Sequence, residues 1–180
     1  MTQLDYSILF WIQEHLVADF LTPVMKLLTT LGNGGLIWIV LSIVLLIFKE
    51  TRWLGMAALL SLALTAFINN EIIKAVIQRP RPFVGFPLDL LIKTPGGWSF
   101  PSGHTSTSFA AATAIFIKNK AIGTPALLCA FLIGLSRLYF FVHFPSDVLI
   151  GAVEGIIIAV AVSFAVDYFR KKSSSTSERP

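Results

Sequence analysis

Apolar runs approaching the thickness of a bilayer alternate along the chain with short polar turns, and this pattern predicts an all-α bundle embedded in a membrane. Leu36 to Phe48 is wholly apolar or small and, with the glycines before it, predicts the first clear span. Lys49-Glu50-Thr51-Arg52 turns the chain back. Trp53 to Gln78 predicts a longer second span whose C-terminal half carries Asn69, Asn70, Glu71 and Lys74, polar groups deep enough to require partners. The longest polar loop follows at residues 79–101, where Pro80, Pro82, Pro87, Pro95 and Gly96-Gly97 forbid a continuous helix. Three further spans are predicted at Ser102 to Ile117, Ala121 to Phe141 and Asp147 to Phe169, making five in all. The first of these three is only about 24 Å long at about 1.5 Å per residue, which sets its start slightly inside the membrane boundary.

The N-terminal segment breaks the pattern. Residues 4–31 are apolar overall but carry Asp5, Glu14, His15, Asp19 and Lys26, and each Asp or Lys near the bilayer centre costs roughly 2.5 to 3.5 kcal/mol. The segment predicts an amphipathic helix lying at the interface or partly inserted, broken near Pro23, with a sixth span as the alternative. Gly32-Asn33-Gly34-Gly35 predicts a turn. No basic region or small-residue cleavage site follows Met1, so no removable signal peptide is expected. Residues 1–172 read as a single membrane-embedded domain and the serine-rich residues 173–180 as a disordered tail.

Composition agrees with the pattern. Charged residues make up 13% of the chain against about 25% in an ordinary soluble domain, and the mean hydropathy is +0.77. Cys129 is the only cysteine, which excludes an internal disulfide and suggests no thiol–metal site. The net charge of +4 is modest, and no nucleic-acid partner is expected. Its distribution says more. Lys49 and Arg52, Lys118 and Lys120, and Arg170 to Lys172 fall on one side if the spans alternate, and the positive-inside rule makes that side cytoplasmic. Lys74, Arg79, Arg81, Lys93 and Arg137 then gather at the outer end, against the rule. Snorkelling to lipid phosphates accounts for one or two of them; an anionic ligand accounts for the cluster.

Two stretches carry chemistry at that outer end. Trp98-Ser99-Phe100-Pro101-Ser102-Gly103-His104 reads as a helix start built to hold an anion. Pro101 suits a first helical turn, Ser102 and Gly103 offer a hydroxyl and unobstructed backbone N–H groups at the positive end of the helix, and His104 can move a proton near neutral pH. Alone, Pro-Ser-Gly-His reads more readily as an ordinary cap. The second stretch is Ser136 to Asp147. Here Arg137 falls near a span end, His143 lies in the turn, and Asp147 opens the last span four residues later. In a near-helical turn the carboxylate can accept a hydrogen bond from one ring nitrogen and leave the other free and nucleophilic. The sequence shows no metal-ligand cluster of carboxylates or cysteines, and no cofactor is implied.

Lys74 with Arg81-Pro82 fits K-x6-R-P, residues 101–104 fit P-S-G-H, and Ser136 to Asp147 fits S-R-x5-H-x3-D. In these motifs the chain resembles the type 2 phosphatidic acid phosphatase family, membrane lipid phosphatases that share their active-site plan with vanadium haloperoxidases. The resemblance implies a membrane phosphatase domain. It casts His143 as the nucleophile that forms a phosphohistidine, Asp147 as the residue that fixes its tautomer, and His104 as the general acid. Lys74, Arg81, Ser102, Gly103 and Arg137 are implied to hold the phosphate oxygens, with no metal. The expected partner is a membrane lipid phosphate in the bilayer, met at an outward-facing site of a multi-pass membrane protein. Undecaprenyl diphosphate is the favoured substrate, with phosphatidylglycerophosphate or phosphatidic acid as alternatives and a non-catalytic lipid-phosphate binder or translocator as the rival class.

Four further expectations concern residues around these motifs. Glu71 is expected to pair with Lys74 three residues on. Arg79 is expected to cap a helix C-terminus, or else to touch a second phosphate. Glu154, on the face of Asp147, is expected to meet an arginine or line the site. Trp38, Trp53 and Trp98 are expected to anchor span ends at the interface.

Overall fold

Helix α7, Gly103–Lys118, is the axis of the bundle, and its sequence explains why. Thr105 to Ser108 and Ala110 to Ile115 are all buried, and apart from Ile115 none of these side chains is larger than threonine. Small side chains let neighbouring helices approach closely where lipid offers no hydrophobic drive for helices to associate. A Cβ added at Gly155 would stand 2.3 Å from the carbonyl of Ser106, so the last helix crosses α7 nearly backbone to backbone.

The structure is a computed structural model that describes residues 2–86 and 88–177. Helices α1 (Thr2–His15) and α2 (Thr22–Leu31) precede a tight turn at Asn33–Gly35, where Gly34 and Gly35 adopt the left-handed backbone that glycine tolerates (φ 59° and 71°). Helix α3 is Leu36–Ile47, and α4 is Arg52–Phe67. One wider turn of π-helix, Ile68–Ile73, joins α4 to the short α5, Lys74–Ile77; α6 is Pro82–Gly85. After α7 come α8 (Lys120–Tyr139) and α9 (Pro145–Ser177). Among the described residues every regular element is helical, as the sequence pattern predicts.

Several predicted boundaries change. Among the described residues, three helical stretches are long and apolar enough to cross a bilayer: Arg52–Gly85, Lys120–Tyr139 and Pro145–Lys172. Helix α3 has 12 residues, about 18 Å, too short to cross alone; it becomes span-length only with α2, from which it is bent by 51°. Helix α7, at 16 residues, also falls short of full span length, and it is enclosed by its neighbours rather than by lipid. Neither α1 nor α2 alone is long enough to be a sixth span. The break between them falls at 16–21, and Pro23 opens α2. Helix α9 continues to Ser177, into the expected tail, because neither Gly nor Pro interrupts it there; residues 178–180 lie outside the described residues. Trp38 is no interfacial anchor: it is 1% exposed and its indole N–H donates to Ser108 Oγ at 2.8 Å.

Candidate active site

Three chain segments bring the predicted residues together at one end of α7. The turn 140–144 lies between α8 and α9, and Asp147 is in the first turn of α9. The peptide N–H of Ser102 donates to the carbonyl of Asp147 at 3.1 Å, which joins the start of α7 to the start of α9. His143, Asp147, Arg137 and Arg81 are all buried there.

His143 Nδ1 stands 3.6 Å from Asp147 Oδ2, beyond hydrogen-bond distance. Ser99 Oγ mediates instead: it donates to Asp147 Oδ2 at 2.5 Å and lies 3.4 Å from His143 Nδ1. With the serine proton committed to the carboxylate, the ring proton belongs on Nδ1 and the lone pair on Nε2, which meets Arg81 Nη1 at 3.2 Å. Burial holds the imidazole neutral, its pKa pushed down to about 3; the Asp147 carboxylate opposes this, and the charges of Arg137 and Arg81 add to it.

Arg81 braces the histidine turn. Its guanidinium donates to the carbonyls of Gly96, Gly97 and Val142 at 2.8 to 3.1 Å, fastening the long loop to the histidine turn. Arg137 is 3% exposed and donates to Thr29 Oγ1, while its Nε has no partner. Arg81 repels both Arg137 and Lys74, so the cluster holds excess positive charge.

A cavity of about 310 Å³ opens beside this cluster, lined by Lys74, Gly103, His104, Asn69, Asn70 and the glycines of the 32–35 turn, with Leu62 and Ala66 at its apolar end. A Cβ at Gly103 would stand 3.4 Å from Lys74 Nζ, so the bare helix start faces the lysine. His104 Nε2 is 2.9 Å from Asn33 Oδ1, which places its proton on Nε2, pointing at the glycine turn. One local expectation for the helix start changes: Pro101 precedes the N-cap residue Ser102 rather than opening the helix. Ser102 Oγ is buried and accepts from Thr105 Oγ1.

The π-turn shifts the register of α4 and decides the partners of its polar residues. Lys74 Nζ donates to Asn70 Oδ1 at 3.1 Å, while Glu71 is exposed and does not meet it, contrary to expectation. Asn69 is fully buried; its Nδ2 donates to Ser106 Oγ and to Glu154 Oε2 at 3.0 and 3.1 Å. Glu154 thus lines the site through an asparagine, not an arginine.

Sequence reasoning gave no role to Ser99, Asn33 or Asp5, marked Asn69 only as a polar group in need of a partner, and misread Arg79. Arg79 caps no helix: Nη1 donates to Asp147 Oδ1 at 2.5 Å and Nη2 to Asp5 Oδ2 at 2.7 Å. One signal pointed to Asp5. It shares the buried face of α1 with Leu9 and Ile12, at spacings of four and three, and a charge on a buried face needs a partner.

The fold and this geometry define a class: a multi-pass helical membrane protein with a recessed cationic site holding two histidines. Residues 54–171 match the PAP2 superfamily, and the chain belongs to this type 2 phosphatidic acid phosphatase family. It is 37% identical over 95 residues to undecaprenyl-diphosphatase BcrC of Bacillus subtilis, covering 53% of this chain and 49% of that protein. It is 36% identical over 121 residues to an undecaprenyl-diphosphatase of Sulfolobus acidocaldarius, covering 66% and 58%. The chain thus spans about half the length of these relatives. The crystal structure of a transmembrane PAP2-type phosphatidylglycerolphosphate phosphatase from Bacillus subtilis superposes with a TM-score of 0.74 at 27% identity, over 95% of this chain and 86% of that one.

Proposed function

We propose that the protein hydrolyses the terminal phosphate of a membrane lipid phosphate, with undecaprenyl diphosphate as the favoured substrate. The carrying observation is the excess of cations: Arg137 is buried with no partner for its Nε among the described residues, half-buried Lys74 hydrogen-bonds only an amide with the Glu154 charge nearby, and Arg81 repels both. A phosphoryl group supplies the missing negative charge. Identity to two undecaprenyl-diphosphatases favours the isoprenoid diphosphate. The fold-level likeness to a phosphatidylglycerolphosphate phosphatase supports the second reading, a phosphoglycerolipid. A non-catalytic binder has no use for both histidines.

In the first step the Nε2 lone pair of His143 attacks phosphorus in line. The N–P bond forms, the P–O bond to the lipid breaks, and His104, acting as the imidazolium, gives its Nε2 proton to the departing oxygen and is left neutral. In the second step His104 takes a proton from water, whose oxygen displaces His143 and releases inorganic phosphate. Asp147 holds the Nδ1 side of the ring through Ser99 and stabilises the charge that develops there. Lys74, Arg81, Arg137, Ser102 and the backbone N–H of Gly103 hold the equatorial oxygens, and no metal takes part. Arg81 Nη1 must leave His143 Nε2 and turn to the phosphate as substrate enters, which frees the attacking lone pair. Five crossings, counting α2 with α3 as one and α7 as another, taken with the positive-inside rule support a site at the outer face.

The test is purified protein assayed on undecaprenyl diphosphate, phosphatidylglycerophosphate and phosphatidic acid, in EDTA, with kcat/KM compared. The highest value is expected for the diphosphate, with vanadate inhibition and an acid-labile phosphoenzyme that His143→Ala abolishes. Turnover restored by magnesium after EDTA, or a phosphoenzyme persisting in the variant, overturns the mechanism.

A further inference from the structure

Arg79 and Asp5 are the most tightly held charges near the site that the mechanism leaves unused. Asp5 Oδ2 accepts from Arg79 Nη2 and from Ser146 Oγ, both at 2.7 Å, and Asp5 Oδ1 accepts from the Ser146 peptide N–H at 3.0 Å. Arg79 Nη1 donates to Ser146 Oγ at 2.8 Å as well as to Asp147 Oδ1. The guanidinium also lies over the Phe144 ring, 4.0 Å from its centroid, and the carbonyl of Arg79 accepts from the Ser99 peptide N–H at 2.8 Å. Residues 144, 146 and 147 flank the His143 side of the turn, and Ser99 is the hydroxyl between the histidine and the aspartate. Every group that orients His143 from behind is therefore in contact with Arg79, and Arg79 is clamped by a carboxylate on the N-terminal helix.

We infer that Asp5 and Arg79 are positioning residues for the phosphoryl-transfer step, so that helix α1 forms part of the catalytic apparatus rather than a passive interfacial anchor. This rests on the proposed role of His143. The chemistry explains why two carboxylates share the arginine. Asp147 must present negative charge to the imidazolium-like ring that forms during transfer; an arginine at its Oδ1 keeps it ionised but, as a full charge, offsets the field that the ring feels. Asp5 divides the guanidinium between two carboxylates and fixes its plane. The side chains of the Asp5–Arg79 pair are 6% and 20% exposed, so water screens the arrangement little. The rest of α1 holds the clamp in place. Leu9 packs with Phe141 and Phe144, Gln13 donates to the carbonyl of Tyr139 at 3.0 Å, and the opposite face presents Leu4, Ile8 and Trp11 outward.

The experiment uses the full chain in detergent micelles, with kcat and KM per folded, monodisperse protein for Asp5→Asn, Asp5→Glu, Arg79→Gln and the Asp5→Asn/Arg79→Gln pair. Wild-type turnover tests the proposed activity itself; the variants test the inference. Losing one charge-assisted bond of the relay predicts about a tenfold fall in kcat for Asp5→Asn and about a hundredfold fall for Arg79→Gln, with KM within about twofold. The double variant should be no worse than Arg79→Gln, since Asp5 acts through the arginine. Asp5→Glu should recover to within about threefold of wild type, and exposed Glu14→Gln should change nothing. An Asp5→Asn protein with unchanged kcat, or one whose loss lies in KM, overturns the inference, as does a double variant whose loss is the product of the singles. If Arg79→Gln yields no folded protein, the kcat–KM split and glutamate rescue at Asp5 decide alone.

Discussion

His143 Nδ1 and Asp147 Oδ2 are 3.6 Å apart, with the Ser99 hydroxyl bridging the two. Asp147 accepts from Arg79 on one oxygen and from Ser99 and the Phe144 peptide N–H, 2.9 Å away, on the other. An amide offers only one accepting oxygen, so Asp147→Asn must turn an NH2 group toward a donor. The expected result is a fall in kcat of at least about a hundredfold, in line with the cost of disturbing a histidine-orienting aspartate. Steady-state kinetics at saturating lipid check it; a variant keeping more than about a tenth of wild-type kcat removes Asp147 from the mechanism.

His104 has a different signature. Its Nε2 proton points at Asn33, beside the cavity where the leaving group would sit. A departing alkoxide needs that proton more than a departing phenolate does, so His104→Ala should cost an alkyl phosphate at least about tenfold more than an aryl phosphate. Equal losses on the two substrates would falsify the acid role.

Titration of His143 gives a prediction with a definite sign. The turn lies outside the spanning helices, and burial, aided by Arg137 and Arg81, lowers the ring pKa from 6.5 to about 3. Above about pH 6.5 the ring is neutral in both folded and unfolded chains, so pH does not affect stability through it. Below that, the unfolded chain takes up a proton that the folded chain refuses, and stability falls as pH drops from 6.5 toward 3. Histidine-labelled protein should show no His143 titration step between about pH 5 and 8 by NMR. Thermal stability should decline less on acidification in His143→Asn than in wild type. A His143 midpoint near 6.5 would mean that the ring is hydrated.

The sequence made the helices and the three motifs legible because both are local. Apolar runs announce helices, and Lys74, Arg81, His104, Arg137, His143 and Asp147 stand at fixed spacings from turn-forming residues. What it hid depends on contacts across the fold. Asp5 meets Ser146 across 141 positions, Asn33 meets His104 across 71, and no pattern within a window links such pairs. The π-turn at Ile68–Ile73 was hidden too: Asn69 and Asn70 look like two polar interruptions of an apolar span until the wider turn directs Asn69 to Glu154 and Ser106, and Asn70 to Lys74. Trp38 misled because tryptophan near a span start usually marks the interface. Here Ser108 offered its indole a buried acceptor instead.

The side of the membrane that the site faces can be tested directly. Lys118 pairs with Asp167, joining the C-terminal parts of α7 and α9, and the guanidinium of Arg170 lies 6.0 Å from the Trp53 ring centroid. The cations of the two short turns and of the C-terminal segment therefore share one end of the bundle, opposite the 79–101 loop and the His143 turn. The positive-inside rule puts that cationic end in the cytoplasm, and it is most reliable for charges this close to span ends. Gly97 is a poor labelling position because its φ of +68° strains any side chain, whereas Thr94 and Glu50 are both exposed. In a Cys129→Ser background, Thr94→Cys should react with an impermeant thiol reagent in intact cells and Glu50→Cys only after lysis. Reversed labelling would place the chemistry at the cytoplasmic leaflet and require a substrate presented there. The roles of His143, His104 and the cations would be untouched, because they depend on the motifs sharing one end of α7 and not on which side that end faces.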